Sequence, residues 1–300
     1  MRYQSTSTVL MIRPAQFGFN PETADSNVFQ QMNSQSVLAE ALDEFDSMVA
    51  VLQSEGVTVW VEQDMPEPAK PDAIFPNNWL GIHPGKRMVL YPMLAPNRRL
   101  ERDPALIARI QQRLPQHQLH DIHAWEEVTE YVEGTGSLVF DHLQQLVFAC
   151  HSPRTHAKAV QAVADLLGYE AHLFDAIDEK GKPYYHSNVV LSIGTQFAIV
   201  CAECIADNQR EALLNALTAN GRQLLFITRA QVNAFAGNVL ELRNAADEYL
   251  IVLSQQAMDA LEANEIAFLQ QFGLLLPIEI SSIERTGGGS VRCMMAEVFL

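Results

Sequence analysis

Near the end of the chain, Cys293 follows Thr286-Gly287-Gly288-Gly289-Ser290, with Arg285 and Arg292 close in sequence. Positive charge near a thiol raises its thiolate fraction, and the thiolate is the nucleophile. Three consecutive glycines allow backbone conformations and close approaches that side chains forbid. In Tyr184-Tyr185-His186-Ser187-Asn188, the histidine stands where a loop enters an apolar run. An imidazole titrating near neutrality can serve such a thiol as acid and base. Glu133, in Tyr131-Val132-Glu133-Gly134-Thr135-Gly136-Ser137, also precedes an apolar run and is followed by small residues. A carboxylate there could bind the N–H groups of a guanidinium or a urea. Pro71-Asp72-Ala73-Ile74-Phe75-Pro76-Asn77-Asn78-Trp79 concentrates prolines, asparagines and aromatics, and reads equally as a tight turn or as part of a site. Taken singly, each segment has an ordinary structural explanation: a buried thiol, a surface histidine, a solvated glutamate, a turn.

What would make them one site is an arrangement that gathers them. The chain reads as five units of strand, turn, strand, helix and strand, recurring every roughly 50–65 residues. In the third unit, 137–140 and 145–150 form strands about Asp141-His142. Ser152-Pro153 then suggests a helix start, Val160, Val163, Ala164 and Leu167 recur at helical spacing, Gly168 ends the helix, and 171–174 closes the unit. The fourth unit runs through 189–193, 196–201, a helix capped by Asp207, and 223–227. The fifth has 238–242, 249–253, a helix from Ser254 to near Gly273, and 274–278. The second has 74–81, 88–91, a helix begun by Asp103-Pro104, and 118–122. The first has 9–12, a helix with Leu38, Leu42, Phe45, Val49 and Leu52 on one face, and 57–61, while 290–300 supplies an extra strand able to close a ring. This α/β pattern fits a five-bladed propeller with helices outside and a site on its axis, or an ordinary α/β sheet built from the same alternation. The expected organisation is one catalytic domain over 1–300. Asn78, Glu133, His186 and Cys293 lie in or beside the first strands of different units, or at the start of the closing strand.

Composition narrows the partners. The 300 residues are 48% hydrophobic and 19% charged, enough apolar material for a full core and too little charge for disorder. A net charge of −16 opposes nucleic-acid and anionic-membrane partners. No apolar leader opens the sequence, so a cytoplasmic protein with reduced thiols is expected. Cys201 and Cys204 form a Cys-x-x-Cys match without a second pair and read as structural thiols. No metal-ligand cluster or nucleotide loop is visible; no cofactor or metal is expected, the partner is a small-molecule substrate, and the oligomeric state is left open, a homo-oligomer included.

The Glu133-Gly134 pair, the histidine followed two residues later by a polar residue, and the glycine-rich stretch before a near-terminal cysteine resemble the amidinotransferase and deiminase (pentein) superfamily of guanidino-group-modifying enzymes. The likeness covers essentially the whole chain and is similar in detail to bacterial citrulline-utilisation hydrolases and amidinotransferase-like proteins. It implies a five-bladed pseudo-symmetric propeller, Cys293 as nucleophile, His186 as general acid and base, and Glu133 as a substrate-binding carboxylate. Asp72 to Asn78 resembles the Asp-x-x-Phe-x-x-Asp segment of dimethylargininases, with Phe75 in place and Asn78 where a guanidinium-gripping aspartate is expected. Asn188 likewise stands where arginine deiminases carry a second aspartate. Because a buried guanidinium wants carboxylate partners and asparagine offers a donor and an acceptor, the two asparagines favour a neutral ureido group. That points to citrulline, split to ornithine, carbon dioxide and ammonia. A deiminase, a dimethylargininase-like hydrolase, an amidinotransferase and a non-catalytic propeller are the rivals. Arg13, Arg285 and Arg292 are candidates for the substrate carboxylate, Asp25 for its α-amine, and 14–33 with 282–290 for a lid.

Overall fold

The computed structural model describes residues 3–27, 29–32 and 37–300. Fifteen strands among them form five three-stranded sheets. Four sheets are built alike, each an antiparallel hairpin whose second strand also pairs in parallel with a third. They are β3 (Leu80–His83), β4 (Arg87–Leu90) and β5 (Gln118–Asp121); β6 (Val139–Asp141), β7 (Leu146–Cys150) and β8 (Glu170–Phe174); β9 (Leu191–Ile193), β10 (Phe197–Val200) and β11 (Gln223–Phe226); and β12 (Leu240–Arg243), β13 (Tyr249–Ser254) and β14 (Leu274–Ile278). The remaining sheet joins the two ends of the chain. β1 (Thr8–Arg13) pairs in parallel with β2 (Thr58–Gln63), and antiparallel with the short C-terminal β15 (Ala296–Glu297). This is the five-bladed pentein ring, and the C-terminal segment closes it as expected.

The parallel step in every sheet needs a crossover, and each crossover carries helix. Helix Leu38–Ser54 buries Ala41, Phe45, Met48 and Leu52, one face at a spacing of three and four residues. They pack with Val9 and Met11 of β1 in one apolar cluster, and each large side chain buried contributes roughly 1.5–3 kcal/mol. Helix Pro104–Arg113 is capped by the Asp103 carboxylate, which accepts from the Leu106 N–H. Ala157–Leu167 ends in Gly168 at φ 79°. Among the described residues no helix is long and apolar enough to cross a membrane.

Two helix starts differ from expectation. Ser152 does not cap Ala157–Leu167. Its hydroxyl instead accepts from the Arg154 N–H and donates to the Tyr185 carbonyl, holding a turn that delays the helix to His156. Asp207 is the first residue of its helix, with Ala206 at the cap. The fifth crossover is two helices, Gln255–Ala260 capped by Ser254 and Ala263–Leu269, broken by extended backbone at Leu261 and Glu262.

A third difference recurs around the ring. The apolar runs expected as strands begin instead in a single tight helical turn, and only then extend. Pro76–Asn78 precedes β3, Gly134–Ser137 precedes β6, Ser187–Val189 precedes β9, and Val291–Met294 precedes β15. Before β12 the chain also turns, through 234–237. These turns carry the chemistry-bearing residues.

Candidate active site

Because the turns occupy equivalent places in successive blades, they converge at one end of the axis. Cys293, His186, Asn78, Asp72 and Phe75 all line one cavity. Arg98, Arg154, Tyr185 and Gly287 to Gly289 complete its wall, with Thr23, Asn27 and Gln30 above.

Cys293 is 3% exposed. Its sulfur lies 3.4 Å from Asn238 Nδ2 and 3.7 Å from Asn188 Nδ2. Burial pushes the thiol up, against partial relief from the Ser290 backbone, Asn238, Arg292 and Asn188. His186 Nε2 is 2.8 Å from Glu133 Oε2. Burial holds the imidazole down at about 4, more than Glu133 raises it. At neutral pH it is therefore uncharged. With a carboxylate on Nε2, that nitrogen carries the proton and Nδ1 keeps a free lone pair.

Glu133 takes a different place from the one expected. Its two oxygens are occupied by His186, by Arg154 Nη1 at 3.4 Å, and by the Leu94 N–H at 3.0 Å. Burial opposes its charge, yet Arg154, the His186 hydrogen bond and Arg98 hold the carboxyl at about 2. It holds the His186 ring through Nε2, and it is not among the residues that line this cavity. Gly136 makes this approach feasible, because a Cβ there would lie 2.5 Å from Asn78 Nδ2 and 2.7 Å from the His186 ring.

Asn78 is bound by Arg98, whose Nη1 donates to Asn78 Oδ1 at 2.7 Å. A guanidinium has no acceptor, so the amide can face it only with oxygen. Among the described residues Nδ2 is left buried without a partner. Arg98 also forms a two-pronged pair with Glu101 at 2.8 and 2.9 Å and lies 3.8 Å from Asp72. Asp72 Oδ2 accepts from Asn20 at 2.7 Å, while Oδ1 has no partner among the described residues. Burial raises this carboxyl against the pull of Arg98. Arg154 is fastened by Ser26 and the Thr23 carbonyl and lies 5.2 Å from the Tyr185 ring centroid.

Asn188 does not border this cavity. Its Nδ2 reaches the Thr135 carbonyl at 3.1 Å as well as the Cys293 sulfur, and the residue lines a second cavity on the axis.

The three proposed carboxylate-binding arginines fall elsewhere. Arg13 pairs with Asp46 on the outer surface, because β1 turns its last side chain away from the ring. Arg285 is exposed on helix Ser281–Gly287. Arg292 points down the axis to Glu297 and the Met295 carbonyl. Asp25 is exposed at an outer apolar cavity beside Lys182. Arg98 and Arg154, which the sequence reading passed over, take the inner positions. No spacing rule marks them: Arg98 lies on the short helix Pro96–Arg99 between β4 and β5, and Arg154 in the turn between β7 and helix Ala157–Leu167. Asn238 was also passed over, although Asn-x-aliphatic at Asn78, Asn188 and Asn238 is a readable repeat of the turn.

The suggested lid segments do meet. Asn27 Nδ2 donates to the Gly288 carbonyl, Gln30 Nε2 to the Gly287 carbonyl and the Gln31 N–H to the Arg285 carbonyl, although 281–287 is helical. Val28 and Asn33, both within the first segment, lie outside the described residues. Cys201 and Cys204 are buried with sulfurs 2.7 Å apart, away from this cavity.

A profile of the family described as N,N dimethylarginine dimethylhydrolase, eukaryotic, matches residues 13–300. Among solved structures, the chain is similar to the N-terminal domain of ArgZ, an arginine dihydrolase from the ornithine–ammonia cycle in Cyanobacteria. A cysteine-to-serine variant of that domain, bound to substrate, superposes with a TM-score of 0.75 at 14% identity over 97% of both chains. An asparagine-to-serine variant holding a covalent reaction intermediate matches with 0.75 at 15% identity, again over 97% of both. The dimethylargininase of Pseudomonas aeruginosa, a cysteine-to-serine variant complexed with citrulline, matches with 0.68 at 14% identity over 98% of this chain and 99% of that one.

Proposed function

Since this chain belongs to the N,N-dimethylarginine dimethylhydrolase family, and is therefore a hydrolase of guanidino or ureido C–N bonds, we propose that its substrate is citrulline, which it splits to ornithine, carbon dioxide and ammonia. The observation that carries this reading is the free end of Asn78. Its oxygen is taken by Arg98, so the group it offers the cavity is an N–H donor. A guanidinium is all donors and leaves that N–H unmet, at a cost of roughly 1–3 kcal/mol. A ureido carbonyl accepts from it. The known complex of the Pseudomonas relative with citrulline agrees with a ureido group fitting such a fold.

The far end of the substrate has partners too. Asp72 Oδ1 is a free buried acceptor suited to an α-ammonium, and the fixed guanidinium of Arg154 suits the carboxylate. In the proposed reaction, the Cys293 S–H passes its proton to neutral His186 as the sulfur attacks the ureido carbon. Asn78 steadies the carbonyl oxygen as charge builds on it. The departing nitrogen takes the proton from His186 as the C–N bond breaks. His186 then draws a proton from water, whose oxygen attacks the carbon and displaces the sulfur. The carbamate formed loses carbon dioxide.

A second reading, free arginine or dimethylarginine, is favoured by one feature, the unpartnered oxygen of Asp72 acting as a guanidinium acceptor. Ammonia release from citrulline, arginine, dimethylarginine, agmatine and succinylarginine, with Cys293→Ser as blank, separates them. Citrulline is expected to turn over fastest, with ornithine formed in equal amount. Faster release from arginine would sink the ureido assignment.

A further inference from the structure

On the far side of Asn188 from Cys293 lies a small axial cavity. Its wall is polar. Ser192 of β9, Glu241 of β12 and Glu297 of β15 face it, with Gln4 and Arg292. Glu297 pairs with Arg292 at 2.8 Å, while Glu241 is held by the Thr195 N–H and the Ser5 hydroxyl. Two carboxyl groups against one guanidinium oppose the passage of anions and suit ammonia or ammonium.

Thr135, His142 and Glu297 line both this cavity and a second small void beside it. That void in turn shares His142 and Phe299 with an outer cavity bordered by Tyr3 and Leu300, which are 46% and 77% exposed. None of the substrate-cavity residues lines this outer opening. Two buried atoms of its lining residues, Ser192 Oγ and Asn188 Oδ1, have no partner among the described residues, and a polar cavity with room for even one or two waters can satisfy such groups. Asn188 therefore touches the nucleophile with its N–H and the axial cavity with the rest of its amide.

We propose that this chain of axial cavities is a second doorway to Cys293, through which ammonia leaves and water arrives while the amino-acid tail still fills the substrate cavity. The inference rests on the hydrolase reading above. It applies to the stage at which the C–N bond to the terminal nitrogen has broken, ammonia has formed with the His186 proton, and the carbon remains bonded to sulfur at one side and to the tail nitrogen at the other. Ammonia must then leave and a water molecule enter, and the tail stands in the mouth by which citrulline came.

The test is to narrow the axial route without touching the substrate cavity. Ser192→Leu places an apolar side chain in the axial cavity, and Ser192→Ala removes the hydroxyl without filling it. With citrulline, Ser192→Leu is expected to lower kcat and KM together about tenfold or more, leaving kcat/KM within about twofold. Quenched samples should accumulate a Cys293 adduct, seen by intact mass as citrulline less ammonia. Ser192→Ala should keep kcat near that of the unaltered enzyme. An unchanged kcat in folded Ser192→Leu, or an equal fall in both variants, would overturn the doorway. Where Ser192→Leu does not fold, Ser192→Val serves as the plug with the same expectations. An unaltered enzyme that releases ammonia from no compound of the panel overturns the functional reading itself.

Discussion

Two blades present the same residue in the same turn and use it in opposite ways. Asn78, before β3, has its oxygen gripped by Arg98 and offers a bare N–H to the substrate cavity. Asn188, before β9, spends its N–H on the Thr135 carbonyl and the Cys293 sulfur and keeps a bare oxygen beside the axial cavity. The internal symmetry of the ring places both amides near the axis. Their neighbours decide what each can do. A donor-only guanidinium makes Asn78 a donor, and a backbone acceptor leaves Asn188 an acceptor. A repeat thus supplies positions, while the group that meets each amide supplies its polarity.

The most severe way to break the comparison is at the histidine that opens the β9 turn. Glu133→Gln removes the charge that orients His186 and pairs with Arg154. A kcat loss of about 10⁴-fold is expected, comparable to removing a carboxylate that orients a catalytic histidine elsewhere. The pH profile adds a check of sign. His186 must be neutral to take a proton, and its value is lowered to about 4, so the acid limb of kcat/KM should fall near pH 4 rather than near 6.5. Removing Glu133, which raises that value, should move the limb lower still. A limb near 6.5 in the unaltered enzyme would show that the imidazole is not buried and neutral as described.

A sharper test of the first asparagine is Asn78→Asp. The new carboxylate would still accept from Arg98 but would present an acceptor where the N–H was. Citrulline kcat/KM is expected to fall about 10²-fold while that of arginine gains relative to it, the size of effect that a lost donor produces in a buried site. Citrulline turnover that ignores the change would remove the basis of the ureido reading. The smallest effect should come from Asn188→Ala. Losing one long N–H contact to sulfur is expected to lower kcat about tenfold and to shift alkylation of Cys293 by iodoacetamide to higher pH. If this variant were more damaged than Asn78→Asp, the assignment of the two amides would be reversed.

Much of this was legible in the chain. Apolar runs of four to six residues separated by capped helices give the blades, because strand and helix burial follow local periodicity. Gly168, Asp103 and Ser254 act at helix ends as their types dictate. The polar residues that interrupt the starts of those runs, Asn78, Glu133, His186, Asn188 and Cys293, are visible as exceptions to an apolar pattern. The sequence does not show that each exception marks a helical turn, since a three-residue turn leaves no periodic trace, and so the strands were read as starting too early.

The sequence by itself therefore determined the blade, its repetition and the identity of the polar groups at its head, because these depend on residues near one another in the chain. The tertiary structure alone decided which arginines face inward. Arg98 and Arg154 are drawn in by carboxylates of their own, Glu101 and Glu133, while Arg13 pairs with Asp46 outside and Arg292 turns down the axis to Glu297. A buried charge settles where a partner compensates its desolvation, and that partner is known only once the ring has closed.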